Sequence, residues 1–204
     1  MELLYQDRRI LVCVKPAGVV STDEHACIRT VHRLDQVVGG VMVLARSRKA
    51  AQLLSQQVQS GGFHKEYLAV VHGRPPQSGT LKDLLCRDTG ARRTLVVSQP
   101  GRDVKQAALD YRVLAGQGEY TLVSVRLHTG RTHQIRVQFA SRGWPLAGDV
   151  KYGGEGERGT GDGIGLWSHR LSFVHPQTGE AMVFQADAPD VPPWNHFKTG
   201  EGQR

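Results

Sequence analysis

Residues 31–46 read VHRLDQVVGGVMVLAR, and the rest of the chain is best understood outward from them. Asp35 stands two residues after Arg33, and an opposite charge a few Å away favours the ionised form of a carboxylate. Asp35 is therefore predicted to be an anion at neutral pH. Behind it, Gly39-Gly40 lets the backbone bend without a Cβ penalty, and Val41-Met42-Val43-Leu44-Ala45 is an apolar run of strand length. The stretch predicts an acid on a loop with a rigid strand behind it. A lone Arg-x-Asp is more often a loop ion pair of small consequence, so the weight given to Asp35 depends on the motifs elsewhere in the chain.

The totals set the frame. With 204 residues, the chain has enough length to bury a core as one domain, residues 1–204. The first nine residues already carry Glu2, Asp7, Arg8 and Arg9, so there is no apolar leader, and no apolar run reaches the length of a bilayer crossing. These features predict a soluble, cytoplasmic, monomeric protein without membrane partners. Cys13, Cys27 and Cys86 are odd in number and far apart, which supports neither a disulfide framework nor a zinc knuckle. His25, Cys27 and His32 match no common zinc spacing, so no metal is expected. The formal charge of +7 and the pI near 9.6 favour polyanionic partners, nucleic acid first. The basic residues are interleaved with apolar strands rather than gathered in a tail, as in a folded basic surface.

In chain order, residues 11–14 predict a strand ended by the Lys15-Pro16-Ala17-Gly18 turn, and residues 19–30 are polar and unpatterned. Residues 47–60 carry Ala50, Leu53, Leu54 and Val58 at helical spacing and stop at Gly61-Gly62, which predicts an amphipathic helix. Residues 67–71 return as a strand. The segment 74–102 is rich in Gly, Pro and charge, with a short strand expected only at 95–97; Arg87, Arg92, Arg93 and Arg102 there would suit RNA phosphates. Strands follow at 106–114 and 120–127, and a short helix at 132–141 in which Ile135 and Phe139 share a face. Residues 153–165 hold seven glycines in thirteen positions and predict a mobile loop. Strands at 166–174 and 181–185 come next, then a loose tail from 189 to 204. Consecutive strands outnumbering helices predict an α+β fold with a mixed, largely antiparallel sheet.

Several phrases occur in a telling order: Val14-Lys15-Pro16-Ala17-Gly18, then His32-Arg33-Leu34-Asp35, then residues 65–73 (KEYLAVVHG), residues 128–137 (HTGRTHQIRV) and residues 144–153 (WPLAGDVKYG). Together these resemble the motifs of the RluA-type family of pseudouridine synthases, over about residues 4–185. The resemblance implies the pseudouridine synthase fold, a bent mixed sheet with flanking helices and a central active-site cleft, in a minimal form without an S4-like domain. It implies an RNA-modifying isomerase that needs no cofactor and acts on stem-loops of ribosomal or transfer RNA. Asp35, Tyr67 and Arg136 would be catalytic, with Arg136 paired to Asp35. Arg33 would enter the space left by a flipped uridine, because a base inside a stem cannot reach a carboxylate without leaving the stack; His32, Lys65, Arg131 and His133 would contact RNA. Relatives commonly carry a Thr-Ser-Gly-type triplet after the aspartate loop, where this chain has Val37-Val38-Gly39. On residues alone, Tyr67 reads as a core aromatic with a satisfied hydroxyl, the usual fate of a tyrosine in a strand. Two other readings are a noncatalytic RNA-binding or ribosome-assembly factor, and a hydrolase pairing Asp35 with Asp149.

Overall fold

A computed structural model describes residues 1–21, 28–153 and 163–197. His25, Cys27 and most of the glycine-rich loop, residues 154–162, lie outside the described residues, as does the tail beyond Phe197. In chain order the strands are β1 (Glu2–Gln6), β2 (Ile10–Lys15), β3 (Arg29–Thr30), β4 (Gly39–Ala45), β5 (His64–His72), β6 (Ser78–Asp88), β7 (Arg93–Val97), β8 (Val104–Gln117), β9 (Tyr120–Leu127), β10 (Leu166–Val174) and β11 (Ala181–Gln185). The helices are α1 (Arg48–Ser60) and α2 (Gln134–Ala140). The class is α+β, with few helices and mixed strand pairing.

The backbone divides into two compact units, Met1–Tyr67 with Leu166–Ala188, and Leu68–Gly165 with Pro189–Arg204. In the first, β2 pairs antiparallel with β1 and β4, β3 with β4, and β11 with β10. The β4–β10 pairing is parallel and short, joining Gly39 to Trp167 and Gly40 to Ser168. Ile10, Val12, Val41, Val43, Leu54, Phe63, Leu171 and Phe173 form one buried core. Helix α1 closes over it because its local signals and its pattern agree. The Ser47 side chain accepts from Ala50 N–H at 3.1 Å, Gly61 ends the helix at φ 81°, and Ala50 and Leu54 are the buried face.

In the second unit, β8 pairs antiparallel with β9 and with β6, and β6 with β7. Strand β6 falls where the sequence pattern predicts no strand. Its residues, SGTLKDLLCRD, alternate weakly, and what makes them a strand is non-local: nine residues in register with β8 on one side and five with β7 on the other, a ladder that no local pattern encodes. The α2 helix is buried along nearly its whole length, from Gln134 to Phe139, and Val137 packs with Leu85 and Ala107. The tail also differs from the loose end expected of it. Trp194–Phe197 form a 3-10 turn, Trp194 is buried, and His196 stacks on Tyr120 at 5.4 Å. A buried indole and a stacked ring outweigh the disorder that prolines and a polar composition favour.

Candidate active site

In the first unit the Asp35 loop is held by backbone groups and one lysine. Ser21 Oγ donates to Leu34 O at 3.0 Å, Val38 N–H to Asp35 O at 3.0 Å, and Gly18 N–H to Gln36 O at 2.8 Å. Gly18 makes that approach at φ 86°, where other residues are strained. Lys15, the last residue of β2, is only 1% exposed. Its ammonium donates to Pro16 O at 2.9 Å, Val19 O at 2.7 Å and Gln36 O at 3.3 Å. One buried cation thus ties the turn after β2 to the loop that carries Asp35. Burial drives the Lys15 pKa down to about 8, and the Asp35 charge opposes that shift.

The carboxylate of Asp35 is half-buried and shares its surroundings with Tyr67. The Tyr67 ring is 6% exposed. Its hydroxyl is hydrogen-bonded to Ser168, whose Oγ donates to Val41 O at 2.9 Å. Burial first, and the Asp35 charge second, raise the Tyr67 pKa far above its ordinary value, so the phenol keeps its proton across the working pH range. Tyr67 is thus a core aromatic with a satisfied hydroxyl that also feels the charge of Asp35. The position of Ser168 is set by Gly40. That residue has φ 118°, and a Cβ there would lie 2.3 Å from Ser168 O. Val38, in the Val37-Val38-Gly39 triplet that follows the aspartate, is 2% exposed and packs beneath the loop.

Among the residues expected to contact RNA, Arg33 is exposed, directly before the buried Leu34. His32 is enclosed. Its side chain is 7% exposed, Nε2 accepts from Val43 N–H at 3.1 Å, and the ring lies 5.3 Å from Phe63. The imidazole takes the place of a backbone partner on β4 where the two-residue β3 stops, and burial lowers its pKa to about 3. A neutral, enclosed ring of this kind braces the end of β3 against β4. Lys65 is half-buried, with Nζ 5.8 Å from the Phe63 centroid and its pKa lowered by burial.

In the second unit Arg136 lies on α2 and is 5% exposed. Asp149, which is fully buried, takes Arg136 Nε–H on Oδ2 and Nη2–H on Oδ1, each at 2.7 Å. Asp149 Oδ1 also accepts from the backbone N–H of Lys151 at 3.1 Å. A carboxylate so enclosed and so occupied is not a second acid for hydrolysis. Tyr152 follows in the same turn. Its hydroxyl accepts from Thr94 N–H at 2.8 Å and is bonded to His133 Nδ1 at 2.8 Å. His133, expected on RNA, stands at φ 54° as the N-cap of α2 and serves this bond. Arg131 is exposed and donates from Nε to Gln106 O at 3.0 Å. Beyond their place in motifs, nothing local marks the roles of Lys15, Asp149 and Tyr152, because each depends on a partner distant along the chain. Among the described residues no group of three or more His, Cys, Asp or Glu is placed to hold a metal, and no helix is long and apolar enough to cross a membrane.

A family model described as RNA pseudouridylate synthase matches residues 9–141, which include Lys15, Asp35, Tyr67 and Arg136. The chain belongs to that family. An uncharacterized RNA pseudouridine synthase of Chloroflexus aurantiacus is 39% identical over 78% of this chain and 49% of its own length. The ribosomal large subunit pseudouridine synthase D of Xanthomonas campestris is 33% identical over 93% of this chain and 66% of its own. The chain thus spans about half of the length of the first of these relatives and just under two thirds of the second. The human RNA pseudouridylate synthase domain containing 1 shares the fold, with a TM-score of 0.80 at 24% identity over 94% of this chain and 84% of that one. As in other pseudouridine synthases, the family's reaction is an isomerisation, and the fold expected from the motifs is the fold found.

Proposed function

We propose that this chain is an RNA pseudouridine synthase in which Asp35 is the reacting carboxylate. The reaction breaks the bond from uracil N1 to ribose C1′, turns the base, joins C5 to C1′, and exchanges the C5 proton for one taken up at N1, so that product and substrate are isomers and no electrons are gained or lost. The acid acts either as a nucleophile or as the anion that stabilises positive charge on the nucleoside. The observation that carries this reading is the Asp35 loop itself: a half-buried carboxylate on a backbone pinned by a buried lysine, beside a protonated Tyr67. Such a group is preorganised rather than merely solvated. Tyr67 is the side chain we assign to the base and to the late proton transfer, and Arg136 is the cation of the same reaction.

Arg33 and Arg131, both exposed, suit RNA, Arg33 by entering the stack that a flipped uridine leaves. The substrate would be structured RNA, ribosomal by analogy with the Xanthomonas relative's name, and the chain would act as one catalytic domain and as a monomer in the cytoplasm. The test uses RNA carrying tritium at uridine C5. The purified chain is expected to release tritium without added metal or nucleotide, while Asp35→Ala releases none and still binds the RNA. Release by the variant at the wild-type rate would remove Asp35 from the mechanism. No release by the wild type on ribosomal and transfer RNA would favour the noncatalytic factor.

A further inference from the structure

The aromatic ring of Tyr152 has two guanidiniums beside it: the Cζ atoms of Arg93 and Arg136 each lie 5.2 Å from its centroid. Arg93 is the first residue of β7, and Arg136 belongs to α2. The Tyr152 hydroxyl is meanwhile held by two partners, Thr94 N–H on β7 and His133 at the start of α2. The same turn is clipped to the β6–β7 hairpin twice more, by Arg93 Nη2 donating to Lys151 O and by Lys151 Nζ donating to Arg92 O at 3.0 Å. Thr94 Oγ1 adds a bond to Thr132 O at 2.9 Å.

Asp149, whose Oδ1 also accepts from the backbone N–H groups of Lys151 and Tyr152, holds the Nε–Nη2 edge of the Arg136 guanidinium. That grip leaves the flat face of the guanidinium to be fixed by what packs against it. The Tyr152 ring lies close to Cζ, and its negative face favours the cation. We infer that Tyr152 is the positioning residue for Arg136, and that it ties the orientation of Arg136 to the seating of the β6–β7 hairpin. The inference rests on the assignment of Arg136 to the reaction above. It gives the Asp-x-x-Tyr spacing of residues 149–152 a physical purpose: the acid neutralises Arg136 and, three residues on, the ring orients it. The hairpin carries Arg87 near the end of β6 and Arg92 in the turn that precedes β7, so RNA phosphates that seat the hairpin would also settle Arg136.

The experiment compares wild type, Tyr152→Phe and Tyr152→Leu in the full chain, with tritium release from ribosomal RNA transcripts as the readout. Loss of the ring is expected to lower kcat by at least about tenfold, the scale of a small misplacement of a catalytic group, with KM within about twofold of wild type. Tyr152→Phe keeps the ring and is expected to retain most of kcat. A second series replaces Tyr152 with phenylalanines bearing one, two and three ring fluorines, which weaken the negative face at nearly constant shape; kcat is expected to fall stepwise with fluorine number, and this series decides the matter if Tyr152→Leu does not fold. A wild-type kcat in Tyr152→Leu, a loss confined to KM, or a flat fluorine series would each overturn the inference while leaving the assigned reaction standing. If the wild type releases no tritium, the reaction falls first and this inference with it.

Discussion

At the scale of single residues, the weight falls on charges taken out of water. Lys15 directs its three donors at carbonyls of Pro16, Val19 and Gln36, and burial holds its pKa at about 8 against an ordinary 10.5. Between these two values the unfolded chain keeps a proton that the folded chain has released, so the Lys15 contribution to stability rises with pH across that window and its cost is fully present below it. Denaturation midpoints of wild type and Lys15→Met, measured from pH 8 to about 10, are expected to show the wild type gaining on the variant as pH rises; a constant difference would mean the ammonium is not desolvated. Spacing alone makes Arg33 the natural partner for Asp35. Lys15, the last residue of β2, is a cation whose pKa registers the Asp35 charge, and no local pattern reveals that.

At the scale of elements, the junction of β4 and β10 decides the geometry around Tyr67. Their parallel pairing covers only Gly39–Trp167 and Gly40–Ser168, and it brings the Ser168 backbone so near that a Cβ on Gly40 would lie 2.6 Å from Ser168 N and 2.3 Å from its O. With φ at 118° as well, Gly40→Ala combines overpacking with backbone strain and is expected to cost about 3 kcal/mol or more in equilibrium unfolding. Because Ser168 holds the Tyr67 hydroxyl, residual folded protein should lose tritium release beyond what its stability explains. An unaltered unfolding curve would show that the two strands separate easily. The Gly-Gly pair is legible as a bend in the sequence; the close approach that demands it is not, since it is made by a strand far along the chain. Strand β6 escapes a local reading for a related reason: its stability comes from two neighbouring ladders rather than from its own alternation.

At the scale of the whole molecule, the charge of +7 bears on RNA affinity more than on fold. If Lys and Arg neutralise phosphates, affinity should fall by about tenfold or more between roughly 50 and 200 mM salt, and Asp35→Ala should follow the same slope, because the acid is not a phosphate contact. Salt-independent binding would point to an uncharged mode of recognition. The order of residues was enough to establish the family, the α+β class, helix α1 with its Gly61 stop and most of the strands, because periodicity, stop signals and ordered motifs are each written within a few residues of one another. It took the folded chain to reveal that His32 is enclosed beside β4, that Lys15 braces the acid loop, that Asp149 is occupied by Arg136, and that the ring of Tyr152 lies against two arginines. Those outcomes depend on which side chains share a desolvated space, and burial is a property of the folded chain rather than of any stretch within it.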